Sequence, residues 1–477
     1  MLGGRVILSS ATLAPALIEA LFAAYRAGRI EYSNSVPSNA GGSAIVCGWV
    51  DEHGAKSHEM ESVDEFVNYH KKFVKKRIGK LEKTTPRRLA DLLPLVAAET
   101  PQKSMAGTIA SGIWKLHECH GITDESSDKK ISVGLVRMAN INPLVAVAQE
   151  LARAEVPEDT EINVCVYHAR HLLLRRHLIE KDLDSLLNRS DENLIWNHKA
   201  IQPALKRGPR NQIFIVLATA VAEVGRDHCY DWAIVEPSSM RSIVQLAGRV
   251  LRHREYADLQ QPNMLLLEKN FKALRGITPC FSKPGFESDD FQLVNHELTN
   301  CLPIHHYQHP APRSCIAESD DPDVSRNMVD MEHAAMRAEL LSKPEQSWPA
   351  SLWWREPVRW AYQMQYRTRF RKGPPNELHA LVTDQQVGDF RFERLFNDEW
   401  SVVQNEFQHM TVDCKPRVHW WITPTDQELL SSIAGDDDET DIEYQCRTRL
   451  TVDLEKRESA SPSQWSYHEV LGVYRPI

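Results

Sequence analysis

No run of the roughly 18 apolar residues needed to cross a bilayer occurs in this sequence, so it offers no membrane-spanning helix. Met1 opens no basic and apolar signal region, because Leu8 leads directly into a polar turn. No two cysteines form a C-x-x-C pair. Nine scattered cysteines, an odd number, argue against a disulfide framework or a zinc finger. They fit reduced thiols, and a cytoplasmic localisation is expected. His117, Cys119 and His120 cluster, but no fourth spaced ligand accompanies them, and no metal site is expected. The phosphate loop G-x-x-x-x-G-K-[ST] is also missing. Gly79-Lys80 is followed by Leu81, and Val74 stands where the first glycine belongs. Nor is there an excess of positive charge: 56 basic against 65 acidic residues leave a net charge of −9. That does not exclude nucleic acid, because local potential decides. Acid gathers at 318–323 and 436–441, whereas 165–177 and 241–254 are rich in Arg and His.

What is present is ordinary for a globular protein: 42% hydrophobic and 25% charged residues over 477 positions, enough for about two to four domains. The most informative stretch is 213–254. Ile213–Leu217 and Trp232–Val235 are apolar runs of buried-strand length. Between them lies A-T-x-x-x-E-x-G-x-D, formed by Ala218, Thr219, Glu223, Gly225 and Asp227. After them comes Q-x-x-G-R-x-x-R, expected on a helix. There Gln245 and Arg249, four apart, and Arg249 and Arg252, three apart, would share a face. Arginine is planar and charged and binds phosphate oxygens through two donors, so such a face suits a nucleotide.

The flanking chain sets the architecture. Arg5–Leu8 reads as a strand, and a helix follows with Pro15 in its first turn and Gly28 closing it. Ala44–Val50 reads as a strand ending in a turn at 51–54. Glu61–Lys83 reads as a helix with a Lys/Arg-rich face, either solvated or turned towards a DNA backbone. From 131 to 270 strands and helices alternate, predicting a parallel sheet covered on both faces. Strands are expected at 131–138, 162–167, 214–219, 232–235 and 264–267, with helices from Pro143 and His168. Right-handed crossovers place the loops after Met138, Tyr167 and Ala218 along one sheet edge, where open α/β sheets bind ligands. Residues 271–345 read as a linker carrying a helix at 330–341. Eight of the 12 tryptophans follow Ser347, namely Trp348, Trp353, Trp354, Trp360, Trp400, Trp420, Trp421 and Trp465. They mark a smaller α+β domain over 346–477, with an acidic loop at Asp436–Asp438.

The two blocks in 213–254 resemble motifs V and VI of superfamily 2 helicases. Ser9-Ser10-Ala11-Thr12, after Val6-Ile7-Leu8, resembles motif III, and the order is that of the family. VGLVRMANINP ending at Pro143, VCVYHARHLLLRRHLIE (164–180) and CFSKPGFE (280–287) bring the sequence closest to the helicase–nuclease of type I CRISPR interference, subtype I-F. The resemblance implies the C-terminal portion of such a protein. Residues 1–30 would be the tail of a first RecA-like domain, and 31–270 a second RecA-like helicase domain with an N-terminal insertion. It also implies roles: Arg249 and Arg252 catalytic, with Arg252 the arginine finger and Arg249 on the γ-phosphate; Gln245, Gly225 and Asp227 at ATP; Ser10, Ala11 and Thr12 coupling hydrolysis to closure. Thr219, Arg137, Asn140 and His168 would contact DNA. ATP and Mg²⁺ would be held mainly by an absent N-terminal half. Asp51-Glu52-His53 follows motif III and is wrongly spaced, so it is not the Mg²⁺ box. The partners implied are single-stranded DNA, a CRISPR surveillance complex and that N-terminal helicase–nuclease half. Another superfamily 2 DNA translocase or RNA helicase, or a non-catalytic DNA-binding scaffold, remain the alternatives.

Overall fold

The computed structural model describes residues 4–35, 44–125, 127–191, 193–223, 225–254, 259–341, 375–383, 390–434, 441–456 and 464–477. Trp348, Trp353, Trp354, Trp360 and the 436–438 acidic loop lie outside them. The chain forms two compact units that are discontinuous in sequence. One draws its described residues from Met1–Pro86, Ser239–Val244 and Pro279–Lys372; the other from Arg87–Ser238, Gln245–Thr278 and Gly373–Ile477.

In the first unit, helix α1 (Pro15–Ser35) and helix α2 (Val63–Leu81) flank a hairpin of β1 (Ile45–Asp51) and β2 (Gly54–Met60). The turn falls where the sequence places it, and Gly54 takes a positive φ of 147° there. Ser62 caps α2, its side chain accepting from the Glu65 N–H. Phe22, Ile45, Trp49, Met60 and Phe66 form a small core, with Phe22 stacked on Phe66 at 4.0 Å. Two expectations fail here. Helix α1 runs through Gly28, since one helical glycine costs only about 1 kcal/mol. Arg5–Leu8 is no strand: no neighbouring strand pairs with it among the described residues, and Ile7 is 92% exposed.

The second unit is built on an eight-stranded sheet. Its strands are β3 (Ala90–Leu93), β4 (Ile122–Thr123), β5 (Lys130–Arg137), β6 (Thr160–Tyr167), β7 (Asn211–Ala218), β8 (Trp232–Val235), β9 (Met264–Leu267) and Val418–Trp420. The order is Val418–Trp420, β6, β7, β5, β8, β9, β3, with β4 antiparallel on β5 and every other pair parallel. Parallel sheets are covered on both faces, which is why β8, β9 and residues 213–218 of β7 read as continuous apolar runs, while β5 and β6 also bury Ser132, Glu161 and Asn163. Helices α3 (Pro101–His120) and α4 (Ile141–Ala152) pack against it, and α5 (Leu173–Leu187) follows β6, with Leu174 and Leu178 against the C-terminal core. Helix α3 is absent from the sequence reading, although Thr100 caps it and Pro101 opens it, both ordinary start signals. Helix α5 starts at Leu173, five residues later than expected, because His168 is tied into the loop before it.

The C-terminal part is mixed α+β, as expected. It has a four-stranded antiparallel sheet and a smaller three-stranded one around the core of Leu381, Phe392, Leu429, Leu454 and Trp465. Its strand Val418–Trp420 pairs with β6, and the Trp421 indole donates to the Ala200 carbonyl at 2.8 Å. The described tryptophans of this part, Trp400, Trp420, Trp421 and Trp465, therefore belong to the unit that holds the large sheet. Gly134, inside β5, lies under the Trp232 ring, and a Cβ there would sit 2.2 Å from ring carbons. Gly134→Ala is expected to cost about 1–3 kcal/mol, read as a lower denaturant midpoint at unchanged slope.

Candidate functional site

Register brings the motif loops together. Tyr167 and Arg137 both pair with Ala218, and Arg137 also with Val235. The chain therefore leaves β5, β6, β7 and β8 along one carboxyl edge, as the sequence implies. Cross-strand bonds continue past the strand ends: Met138 N–H to Ala218 O, Thr219 N–H to Tyr167 O, and Glu236 N–H to Arg137 O.

The loop after β7 forms a 3-10 turn at Ala220–Ala222 and then Glu223. Gly225 follows at φ 70°, a left-handed position that favours glycine. Glu223 is the hub of this loop. Its buried carboxylate accepts from Arg137 Nε at 2.6 Å, and its carbonyl from Arg249 Nη2 at 2.9 Å and Nε at 3.3 Å. Two residues past Gly225, exposed Asp227 accepts from Arg252 Nε at 2.5 Å and His253 Nε2 at 3.1 Å. The His253 hydrogen bond, with Arg252 alongside, holds this carboxyl below the usual range against partial desolvation.

The helix itself is shorter than expected. It spans Met240–Ala247 and carries Gln245, while Arg249 and Arg252 lie in the turn beyond it. Arg249 N–H reaches Leu246 O, Val250 N–H reaches Ala247 O, and Leu251 adopts φ 48°. The arginines are thus aimed by loop contacts, not by a shared helix face. The turn is pinned at its far end by Arg254, which joins Arg189 on the buried Asp231, each at 2.6 Å. At the helix start, the buried Glu332 carboxylate accepts from the Met240 N–H at 2.5 Å.

The DNA expectations fare unevenly. Arg137 is 1% exposed, and its guanidinium is held inside the fold by Glu223 and the Glu236 carbonyl. His168 is fully buried: Nε2 donates to Leu471 O at 2.9 Å and Nδ1 accepts from Arg170 N–H at 3.1 Å. Burial pushes its pKa down to about 3, so it is neutral. Both signals were real but structural: polar residues at strand ends were recruited to staple loops. His168→Ala is expected to lower stability by about 1–3 kcal/mol while leaving the salt dependence of DNA binding unchanged. Thr219 is 7% exposed, and Asn140 is half-buried at the start of α4. Ser10, Ala11 and Thr12 form a turn in the other unit, where Ser10 Oγ accepts from the Thr12 N–H and Arg241 donates to the Thr12 carbonyl.

Two potential metal clusters resolve differently. His117 bonds Ser132 and Asn211, and His120 bonds the Pro262 carbonyl, so the two histidines of that cluster are separately engaged. Cys280, Glu287 and His296 have ligand atoms within 4.8 Å of one another. Yet Glu287 already accepts from the Phe281 and Leu293 amides and from His296 at 2.7 Å, the pattern of a loop staple. Among the described residues no helix is long and apolar enough to cross a membrane.

Sites missed by sequence reading are Asp231, Arg189, Glu332 and Glu236. Glu236 is buried beyond β8 and accepts from the Ala139 and Phe271 amides at 2.5 and 2.7 Å. The available signal was an acid directly flanking an apolar strand, as in D-W-A-I-V-E at 231–236.

A family model described as the C-terminal part of the CRISPR-associated nuclease/helicase Cas3 matches residues 130–255. The subtype I-F/YPEST Cas3 nuclease/helicase of Pseudomonas aeruginosa is 38% identical over 99% of this chain and 44% of its own length. That of Pectobacterium atrosepticum is 40% identical over 80% of this chain and 36% of its own. Among solved structures, a crystallised CRISPR-associated protein aligns over 97% of this chain and 48% of its own at 12% identity and TM-score 0.36. T. fusca Cas3 with AMPPNP aligns over 54% and 26% at 17% identity and TM-score 0.31. The chain spans less than half the length of these curated relatives. It is a homologue, over 80–99% of its length, of these two subtype I-F/YPEST Cas3 nuclease/helicases.

Proposed function

We propose that this chain supplies one wall of the ATP site of a superfamily 2 single-stranded-DNA translocase acting in CRISPR defence. The carrying observation is that Arg249 and Arg252, in one turn, are both tied to the Glu223–Asp227 loop at the sheet's carboxyl edge. Phosphoryl transfer needs cations placed where charge develops, and little covalent chemistry from the protein. Arg252 is the finger in this reading, and Arg249 contacts the γ-phosphate. Gln245, Gly225 and Asp227 line the nucleotide. The pairing of Arg252 with Asp227 is exposed and worth about 0–1 kcal/mol, so a phosphate can replace it. Thr219 and Asn140 are the remaining DNA contacts, and Ser10, Ala11 and Thr12 couple hydrolysis to closure. ATP and Mg²⁺ are the cofactors. The phosphate loop comes from a helicase–nuclease segment outside these residues, and a CRISPR surveillance complex recruits the assembly.

The test is DNA-stimulated ATP hydrolysis after that segment is supplied, comparing wild type with Arg252→Ala. Loss of turnover supports the finger. Unchanged turnover removes Arg252 from the site, and stimulation by RNA in preference to DNA moves the chain to the RNA helicases.

A further inference from the structure

We infer that the groove between the β1–β2 hairpin and helix α2 binds single-stranded nucleic acid, at a site separate from the motif edge and in the other compact unit. A cavity of about 390 Å³ opens there, with a volume in the range of ordinary ligand clefts. Its wall is aromatic: Trp49, Tyr69 and Phe73 line it, the last two half-buried. Its rim is cationic: Lys56 from the hairpin and Lys72, Lys76 and Lys80 from the helix. The helical lysines are four residues apart, so they rise along one face in steps of about 6 Å.

Charge balance picks the occupant. Lys80 lies 3.7 Å from Asp51, and Arg77 lies 2.7 Å from Glu52. Among the described residues no carboxylate lies within ion-pair distance of Lys56, Lys72 or Lys76. Lys71 and Lys75, also exposed, extend the basic face beyond the cavity, past the reach of one free nucleotide. A solvated lysine face needs no cleft beneath it, and an acidic peptide has no use for an aromatic wall. A single strand uses both, with phosphates on the lysines and a base on the rings.

The full chain is titrated with a fluorescent oligo-dT by anisotropy at several salt concentrations. The double variant Lys72→Gln/Lys76→Gln is expected to bind at least ten-fold more weakly at low salt. Its log–log salt slope should fall by about 1.4, from about 0.7 per phosphate contact. Phe73→Leu keeps an apolar side chain but removes the ring, and should weaken binding about ten-fold at unchanged slope. Thermal melting at the wild-type temperature shows that each variant is folded. Wild-type affinity and slope in the double variant would overturn the inference. So would equal competition by polyglutamate together with no effect of Phe73→Leu, which would make the face a general polyanion surface. ATP turnover is not read, so failure here leaves the nucleotide-site reading untouched.

Discussion

Asp231→Ala is expected to destabilise the protein by about 3–5 kcal/mol, the usual cost of leaving buried charges without their partner. The Asp231 carboxylate is 1% exposed and accepts from Arg189, from Arg254 and from the Val133 amide, all at 2.6 Å. Removing it strands two buried guanidiniums at the head of β8. Chemical denaturation should show a lower midpoint at unchanged slope. Loss of less than about 1 kcal/mol would mean the cluster is solvated and the arginines are free to turn outward. Burial alone would raise the Asp231 pKa, but the two arginines outweigh it and hold it below its ordinary value. A depressed folded-state carboxylate stabilises above the unfolded pKa and loses that contribution as pH falls through the folded one. This share of stability is therefore complete at neutral pH and fades only in strong acid. The local consequence is functional. Arg254 ends the turn that carries Arg249 and Arg252, so Asp231→Ala should also blunt nucleotide chemistry.

Arg252→Ala is expected to cut DNA-stimulated turnover about 10³- to 10⁵-fold in the completed protein, the usual contribution of an arginine finger. Nucleotide affinity should change far less, because the finger acts on charge that develops in the transition state. Arg252→Lys should not rescue, since an ammonium keeps the charge and loses the two-donor fork. Arg249→Ala should differ in kind, raising the KM for ATP if Arg249 holds the γ-phosphate in the ground state. If Arg249→Ala abolishes kcat and Arg252→Ala only raises KM, the two roles are exchanged.

How much of this was legible beforehand follows from what each signal encodes. The parallel sheet was, because its strands are buried on both faces and β7, β8 and β9 leave apolar runs of strand length. The gathering of loops was, because parallel connection forces it. Spacing singles out the motif residues but does not give their posture. Nothing in Q-x-x-G-R-x-x-R says that the helix stops at Ala247 and Leu251 turns left-handed, since helix ends depend on tertiary contacts. Arg137 and His168 misled for one reason: a polar side chain at a strand end serves a ligand or a neighbouring loop, and only the partner's position decides. Those partners, Glu223 for Arg137 and Leu471 for His168, lie 86 and 303 residues away. The Arg5–Leu8 strand failed because a strand is defined by its neighbour, and none stands beside it among the described residues.

The central claim is that these residues form one wall of an ATP site and depend on another segment for the other. The most direct measurement is ATP hydrolysis by the isolated 477-residue chain and by the same chain after the phosphate-loop segment is added, each with and without single-stranded DNA. The account predicts no turnover from the isolated chain and DNA-stimulated turnover from the pair. Turnover by the isolated chain that Arg249→Ala abolishes would contradict it.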